Sequence, residues 1–493
     1  MGFLKAIGTA NGERLILAGG AILMLLCVAL FSYTNNFIIL GIPLVMAGLV
    51  WLLLNWKSFF WFFIFTIPLS CEIHLGGTLA TTVPDEQLMW LFVPVTVFII
   101  LYNYKIVPRW FLTHPFTLVL FLQFIWLVVA VTFSQNHFLS LKFLAAKIWF
   151  LTSYVVLPIL IFREKKDFKR AFLLFSIPMI LHTIVAFIIH ATKKFDFHMS
   201  NIVVKPFYFN HVDHSTVLSM VFPLLLVAYQ LSKGNKNQRR LLLFLIIFFI
   251  PAIYVAAARA AMLAVIFSLI VAYAIRKRLV NFIMPSFYAF IILVLALLIT
   301  DNSYIKYRSN MKYTATQHTF SDLMTATFRG TDMSSMERFY RWIASIKMSQ
   351  DRPLVGVGPN NFYDHYKEYT VPMFKTWVYR NEEKSTTHNY FLFMLVEQGW
   401  PAMILYGILV MVVLANAQRI YHQTKDEFYK KVTIGLTMVF AAGFVNNFFS
   451  ELLETHKIGA LFYLSITLLI VVDYITKKQN KLDNAATENK ELT

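Results

Sequence analysis

Apolar runs of membrane-spanning length recur from residue 15 to residue 474 of this 493-residue chain, and nothing else constrains its fold so tightly. A bilayer core takes about 20 apolar residues of helix to cross. Backbone polar groups find no water there, so helices of this length are what such runs must become. The runs fall near 15–33, 37–55, 58–70, 87–104, 115–133, 143–162, 170–190, 215–231, 241–257, 260–275, 281–299, 389–418, 431–450 and 457–474. Composition agrees: 58% hydrophobic residues, 16% aromatic and a mean hydropathy of +0.61 do not describe a soluble chain of this length. The expected fold is an all-α polytopic membrane protein with about 12–14 transmembrane helices and one large, mostly helical outer loop. Four regions follow: helices 1–11 within 1–300, a loop or cap at 301–388, C-terminal helices at 389–474 and a polar tail at 475–493.

The formal charge of +18 suggests nucleic acid only until its positions are read. Arg163, Lys165, Lys166, Lys169 and Arg170 crowd one short loop, and Lys233, Lys236, Arg239 and Arg240 another. Arg276-Lys277-Arg278 and Lys430-Lys431 fall on the same side, together with both termini. Outside the long loop, that side holds roughly three times the Lys and Arg of the other, which makes it cytoplasmic. The basic residues thus mark topology, and no nucleic-acid partner is expected. Cys27 and Cys71 form neither a disulfide framework nor a metal pattern. The first run follows Lys5 and Arg14 like a signal segment, but it is longer than a usual signal core and has no clear small-x-small cleavage site, so it reads as a span.

Several polar residues on the outer side could carry chemistry. Arg259, in Ala-Ala-Ala-Arg-Ala-Ala, is either a snorkelling anchor or, with nothing bulky around it, a bidentate phosphate ligand. Arg338 and Arg341 lie three apart and share a helix side, either as a solvated basic face or as further phosphate clamps. Met336–Met348 carries Phe339, Trp342, Ile343 and Ile346 at helical spacing, which suits an amphipathic helix lying on the membrane. His388, just before a span, is either a hydrogen-bonded interface residue or a general base. His211, Asp213 and His214 resemble a metal cluster on paper, but no further ligand run follows, so they read as polar lining of an outer cavity and no metal is expected. Gly356-x-Gly358 lacks the lysine and preceding strand of a phosphate loop and reads as a turn. Glu451, Glu454 and Asn446 surround the last outer hairpin as helix caps or functional groups, and Lys147 lies near a span's start.

In order and spacing, Glu337-Arg338-x-x-x-Trp342, Pro353-Leu-Val-Gly356-Val-Gly358-Pro359-x-x-Phe362 and His388-Asn-Tyr leading to Glu397-x-Gly399-x-Pro401 resemble the signature of the O-antigen ligase and polymerase family. Arg259 resembles that family's Ser-Arg-Gly element, with Ala258 and Ala260 in place of the serine and glycine, and Pro206-Phe-Tyr-Phe-Asn210-His211 resembles its aromatic lead-in to a span. The resemblance implies a metal-independent, cofactor-free, inverting glycosyl transfer at the periplasmic face of a bacterial inner membrane. The implied donor is a glycan on undecaprenyl diphosphate, and the implied acceptor a hydroxyl of lipid A-core or another glycan. Arg259 and Arg338 would hold the diphosphate with Arg341 as a helper, and His388 would take the acceptor's proton. A ligase is the first expectation. A polymerase acting on lipid-linked repeats, transfer to protein, a transporter or lipid flippase, and an envelope scaffold are the alternatives.

Overall fold

Asparagine and aspartate set many of the helix starts. Asn136, Asn210, Asn235, Asn389 and Asp426 each stand at an N-cap, where the side chain accepts from a backbone N–H of the first turn, as short polar side chains do where four donors lack intrahelical partners. The computed structural model describes residues 10–34, 38–76, 79–300, 333–370 and 386–491. The parts of the long loop at 301–332 and 371–385 lie outside the described residues.

The chain divides into two compact units, Met1–Thr66 and Ile67–Thr493. The first holds α1 (Ala10–Thr34), α2 (Ile38–Leu54) and α3 (Trp56–Thr66). Trp51 packs against Phe59 and Phe62 at 5.4 and 5.3 Å between ring centroids, and Asn55 accepts from Ser58 N at 3.0 Å where α3 begins.

The second unit opens with a hairpin of β1 (Cys71–Gly76) and β2 (Leu79–Val83), paired antiparallel from Cys71–Val83 to Gly76–Leu79. The hairpin lies in the connection between the apolar runs at 58–70 and 87–104. Then come α4 (Asp85–Tyr102), α5 (Pro115–Thr132), α6 (His137–Ile161, with a π turn at Thr152–Val156), α7 (Lys165–Thr192), α8 (His211–Leu231), α9 (Lys236–Val255), α10 (Arg259–Arg276) and α11 (Val280–Thr300). After these follow α12 (Met333–Asp351), α13 (Tyr390–Gln423), α14 (Glu427–Phe449) and α15 (His456–Glu491). Among the described residues, ten helices, α4 to α10 and α13 to α15, are long and apolar enough to cross a bilayer, and four shorter apolar stretches accompany them. The fold is an all-α polytopic membrane protein. The last helix does not stop with its apolar run: the polar tail continues it to Glu491.

α14 and α15 form the centre, with 89% of each apolar window buried. Asn446 of α14 donates to Ser219 Oγ of α8 at 3.0 Å and accepts from Thr216 at 3.2 Å, so this buried amide locks two spans with satisfied hydrogen bonds. α10 lies along α14, and α13 packs against α5, α12 and α14. His422, near the end of α13, bonds the Ile275 carbonyl at 2.9 Å, and Gln418 accepts from Val280 N at 3.0 Å. Those contacts put the last turns of α10 and α13 at one end of the bundle. Arg259, 16 residues of helix before Ile275, is therefore roughly 24 Å away, at the other end, where α13 begins beside His388.

Candidate active site

α13 is one apolar run in sequence but two helices in space. Gly399 sits at φ 79°, ψ 179° inside it, followed by Pro401, which has no N–H. In an unbroken helix the Val396, Glu397 and Gln398 carbonyls would accept from residues 400 to 402. Here they turn outward. Val357 N donates to Val396 O at 2.9 Å, Gly358 N to Glu397 O at 3.0 Å and Trp126 Nε1 to Gln398 O at 2.8 Å, while Trp400 N donates to Pro353 O at 2.9 Å. The Pro-x-x-Gly-x-Gly loop and the Glu-x-Gly-x-Pro break are two halves of one joint. Glycine is required on both sides: a Cβ on Gly399 would stand 1.9 Å from Leu354 O, and one on Gly356, at φ 67°, 2.4 Å from Val396 O.

The Glu397 carboxyl group completes the joint. It accepts from Asn360 N at 2.7 Å and Phe362 N at 3.3 Å. Asn361 Nδ2 donates to Ser134 Oγ at 2.7 Å, and Ser140 Oγ to Pro359 O at 2.7 Å, fixing the loop to the α5–α6 turn as well. The Gly-x-Gly segment is thus a turn, as its sequence suggests, but a turn built to dock.

The joint positions α12 over the start of α13. Tyr340, Arg341, Ile343, Ala344, Ser345 and Met348 of α12 are buried; the helix packs on α13, and Ala344 and Met348 join Val357, Phe362 and Tyr366 in one cluster. Of the apolar set read from the sequence, Ile343 is buried while Phe339, Trp342 and Ile346 are half-buried.

Arg341, only 2% exposed, donates to Thr386 O at 3.3 Å and to the Tyr366 hydroxyl. Its charge and that of Arg338 both reach His388. Burial, then Arg341, then Arg338, push the His388 imidazole from its ordinary 6.5 down to about 3, because each disfavours a second positive charge there. His388 itself has φ 51°, a left-handed conformation that is uncommon outside glycine and tends to mark functional positions. Its backbone N–H donates to the Glu451 carboxyl group. The neighbouring Thr387 hydroxyl lies 3.3 Å from Glu451 Oε2 and 2.9 Å from Asn389 O. Burial outweighs those hydrogen bonds and the charge of Arg341, so Glu451 is pushed up to about 7. Asn389 caps α13 and donates to Phe448 O at 3.0 Å.

Arg338, Arg341 and His388 therefore come together at the start of α13, from sequence positions 50 and 47 residues apart. Arg259 opens α10 at the same end of the bundle, half-buried behind Ala256, Ala257 and Ala258. His211 and His214 lie in the first turn of α8, and His214 shares a small cavity with Ala256, three residues before Arg259. His211 Nδ1 bonds Asn201 Oδ1 at 2.7 Å. His214 is buried between His182 and Tyr208, bonds Thr183 at 3.3 Å, and borders a cavity of about 20 Å³, room for one water. Among the described residues, no group of three His, Cys, Asp or Glu could hold a metal ion.

Sequence reasoning left Glu451 and Glu454 undecided between caps and function. Glu451 supports the His388 backbone. Glu454 binds Lys147 Nζ at 2.8 Å through both oxygens and accepts from Tyr390 Oη at 2.7 Å, which tethers the last hairpin to α6 and to the first turn of α13. Tyr366 and Thr387 were not singled out from sequence at all; an aromatic and a hydroxyl in a polar loop give no signal until their partners are known.

No curated protein matches the chain. A family model described as "O-Antigen ligase" matches residues 241–407, a segment that takes in Arg259, Arg338, Arg341, His388 and the whole Glu397–Pro401 break and stops short of Glu451. Residues 241–407 of this polytopic membrane protein are accordingly similar to the O-antigen ligase family, a family of membrane enzymes of glycosyltransferase type.

Proposed function

We propose that the protein transfers a polysaccharide from undecaprenyl diphosphate to a hydroxyl of a lipid A-core acceptor, at the periplasmic face of a bacterial inner membrane. The observation that carries this reading is the convergence of two guanidinium charges on one neutral imidazole at the mouth of α13. The acceptor oxygen attacks the anomeric carbon as its proton passes to His388. The bond from that carbon to the diphosphate oxygen breaks, with inversion, and the electron pair leaves with the lipid diphosphate. Arg259, Arg338 and Arg341 hold the diphosphate and stabilise its growing charge. An imidazole held near 3 is a weak base, yet it is unprotonated at neutral pH. A diphosphate bound beside Arg338 and Arg341 offsets the charges that depress it, so the base strengthens when the donor is present.

The test is transfer by purified full-length protein from an undecaprenyl-diphosphate glycan, with lipid A-core and a lipid-linked repeat unit offered in parallel. Product on lipid A-core supports ligation. Product on the repeat alone replaces it with polymerisation, and no product on either removes the transferase reading.

A further inference from the structure

At the opposite end of the second unit lies a cleft that the transfer chemistry does not use. It has a volume of about 640 Å³ and opens between the start of α7, the start of α14 and the last turns of α15. Lys478, which borders it, is 22 helical residues beyond His456, roughly 33 Å, so the cleft stands a membrane's thickness from the His388 end. Its rim is basic: Arg163, Lys165, Lys166 and Lys478 against the single carboxylate Glu164. Neighbouring charges are balanced in pairs. Lys165 binds Asp426 at 2.6 Å, Lys166 binds Glu164 at 2.9 Å, Lys477 binds Asp473 at 2.7 Å and Lys425 binds Asp483 at 2.9 Å. Among the described residues, neither the Arg163 guanidinium nor the Lys478 ammonium has an ion pair. Both are exposed on the cleft.

The remaining walls are amphipathic. Tyr429 and Tyr474 line the cleft, Tyr474 being stacked on Trp110 at 4.2 Å, and Ile475 and the 63% exposed Leu482 supply apolar surface. Aromatic rings of this kind sit at head-group depth. A phosphodiester meeting two unmatched cations, with acyl chains against the apolar wall, satisfies every part of this surface. We propose that the cleft binds one anionic phospholipid, its phosphate held by Arg163 and Lys478, as basic pockets between transmembrane helices do.

Native mass spectrometry of the full-length protein in neutral detergent tests this with phosphatidylglycerol, phosphatidylcholine and inorganic phosphate as probes. One phosphatidylglycerol is expected to bind, phosphatidylcholine to bind far more weakly, and millimolar phosphate to leave the lipid in place. Neutralising each cation should weaken binding about fivefold, and Arg163→Gln with Lys478→Gln together roughly 30-fold. The control Arg276→Gln with Lys277→Gln removes equal charge away from the cleft and should change nothing. Should the double variant fail to fold, Lys478→Gln alone, at an exposed position, keeps the fivefold loss measurable. Equal binding of phosphatidylcholine, displacement by free phosphate, unchanged affinity in the cleft variants, or an equal loss in the control would each overturn the proposal.

Discussion

Asn360 N donates to the Glu397 carboxyl group at 2.7 Å, and this bond ties a water-facing loop to the last turn before a break in a membrane helix. Glu397 is 2% exposed and Phe362, whose N–H it also accepts, 1%, so that second donor has no water to fall back on. Glu397→Ala should lower stability by about 1–3 kcal/mol, the cost of one buried donor left unmet. Glu397→Gln, which keeps an acceptor, should lose less than half of that. Thermal unfolding of the two variants in detergent decides; equal losses would mean that charge or packing, rather than these bonds, fixes the loop.

Gly399→Ala should be harsher than a glycine substitution inside a helix. A positive φ alone costs about 1–2 kcal/mol, and the new Cβ would stand 1.9 Å from a backbone oxygen that cannot rotate away. The expected result is a marked fall in Tm and the loss of transfer, with Gly407→Ala in the same helix, where the nearest atom is 3.7 Å away, close to wild type.

His388→Ala should lower transfer by about 10²–10⁴-fold, the usual range for a general base, with membrane insertion unchanged. The pH dependence is more diagnostic. An ordinary histidine base loses kcat/KM as pH falls through 6.5, whereas an imidazole held near 3 should keep kcat/KM level there. Stability follows the same sign. The folded pKa lies below the unfolded value, so the unfolded chain binds the proton more tightly. The contribution is complete above about 6.5 and is lost as pH falls toward about 3. Tm measured across that window should drop less steeply in His388→Ala than in wild type.

Arg338→Lys and Arg341→Lys keep the charge but lose the planar fork. Each should reduce transfer about tenfold or more, the worth of a charged hydrogen bond. Arg341→Lys should also cost stability, since Arg341 holds Thr386 O and Tyr366 while Arg338 is less buried. Wild-type kcat/KM in both variants would remove the clamp.

Lys147→Met should destabilise by about 2–4 kcal/mol, because it strands Glu454 in a largely buried site. Lys147→Met with Glu454→Gln should recover part of the loss in the same unfolding measurement.

Hydropathy made the bundle legible, since a bilayer permits few answers to an apolar run of 20 residues. It could not show the break in α13: Gly399 and Pro401 in an apolar run are equally compatible with a kinked helix, and only the arrival of the Val357 and Gly358 N–H groups makes a full break affordable. The β-hairpin at Cys71–Val83 escaped for a similar reason, as its partners lie across the unit at His456. In the site, the order of motifs brought Arg338, Arg341 and His388 into one hypothesis. The contact between His388 and Glu451 spans 63 residues and is made through a backbone N–H, which leaves no mark in side-chain pattern. The relative weight of the arginines was also hidden: Arg341, read as a helper, is the more buried and acts more strongly on His388.

The shared carbonyls at Val396, Glu397 and Gln398 also impose an order on biogenesis. Synthesis runs from the N-terminus, so Gly356-Val357-Gly358 is made before the acceptors it docks on, and His388 before the Glu451 that holds its N–H. A nascent chain ending at His388 would contain every arginine and histidine of the proposed site but only one half of the joint that arranges them. The proposed site can therefore close only after the final hairpin is inserted, which would keep a partly translated chain inactive.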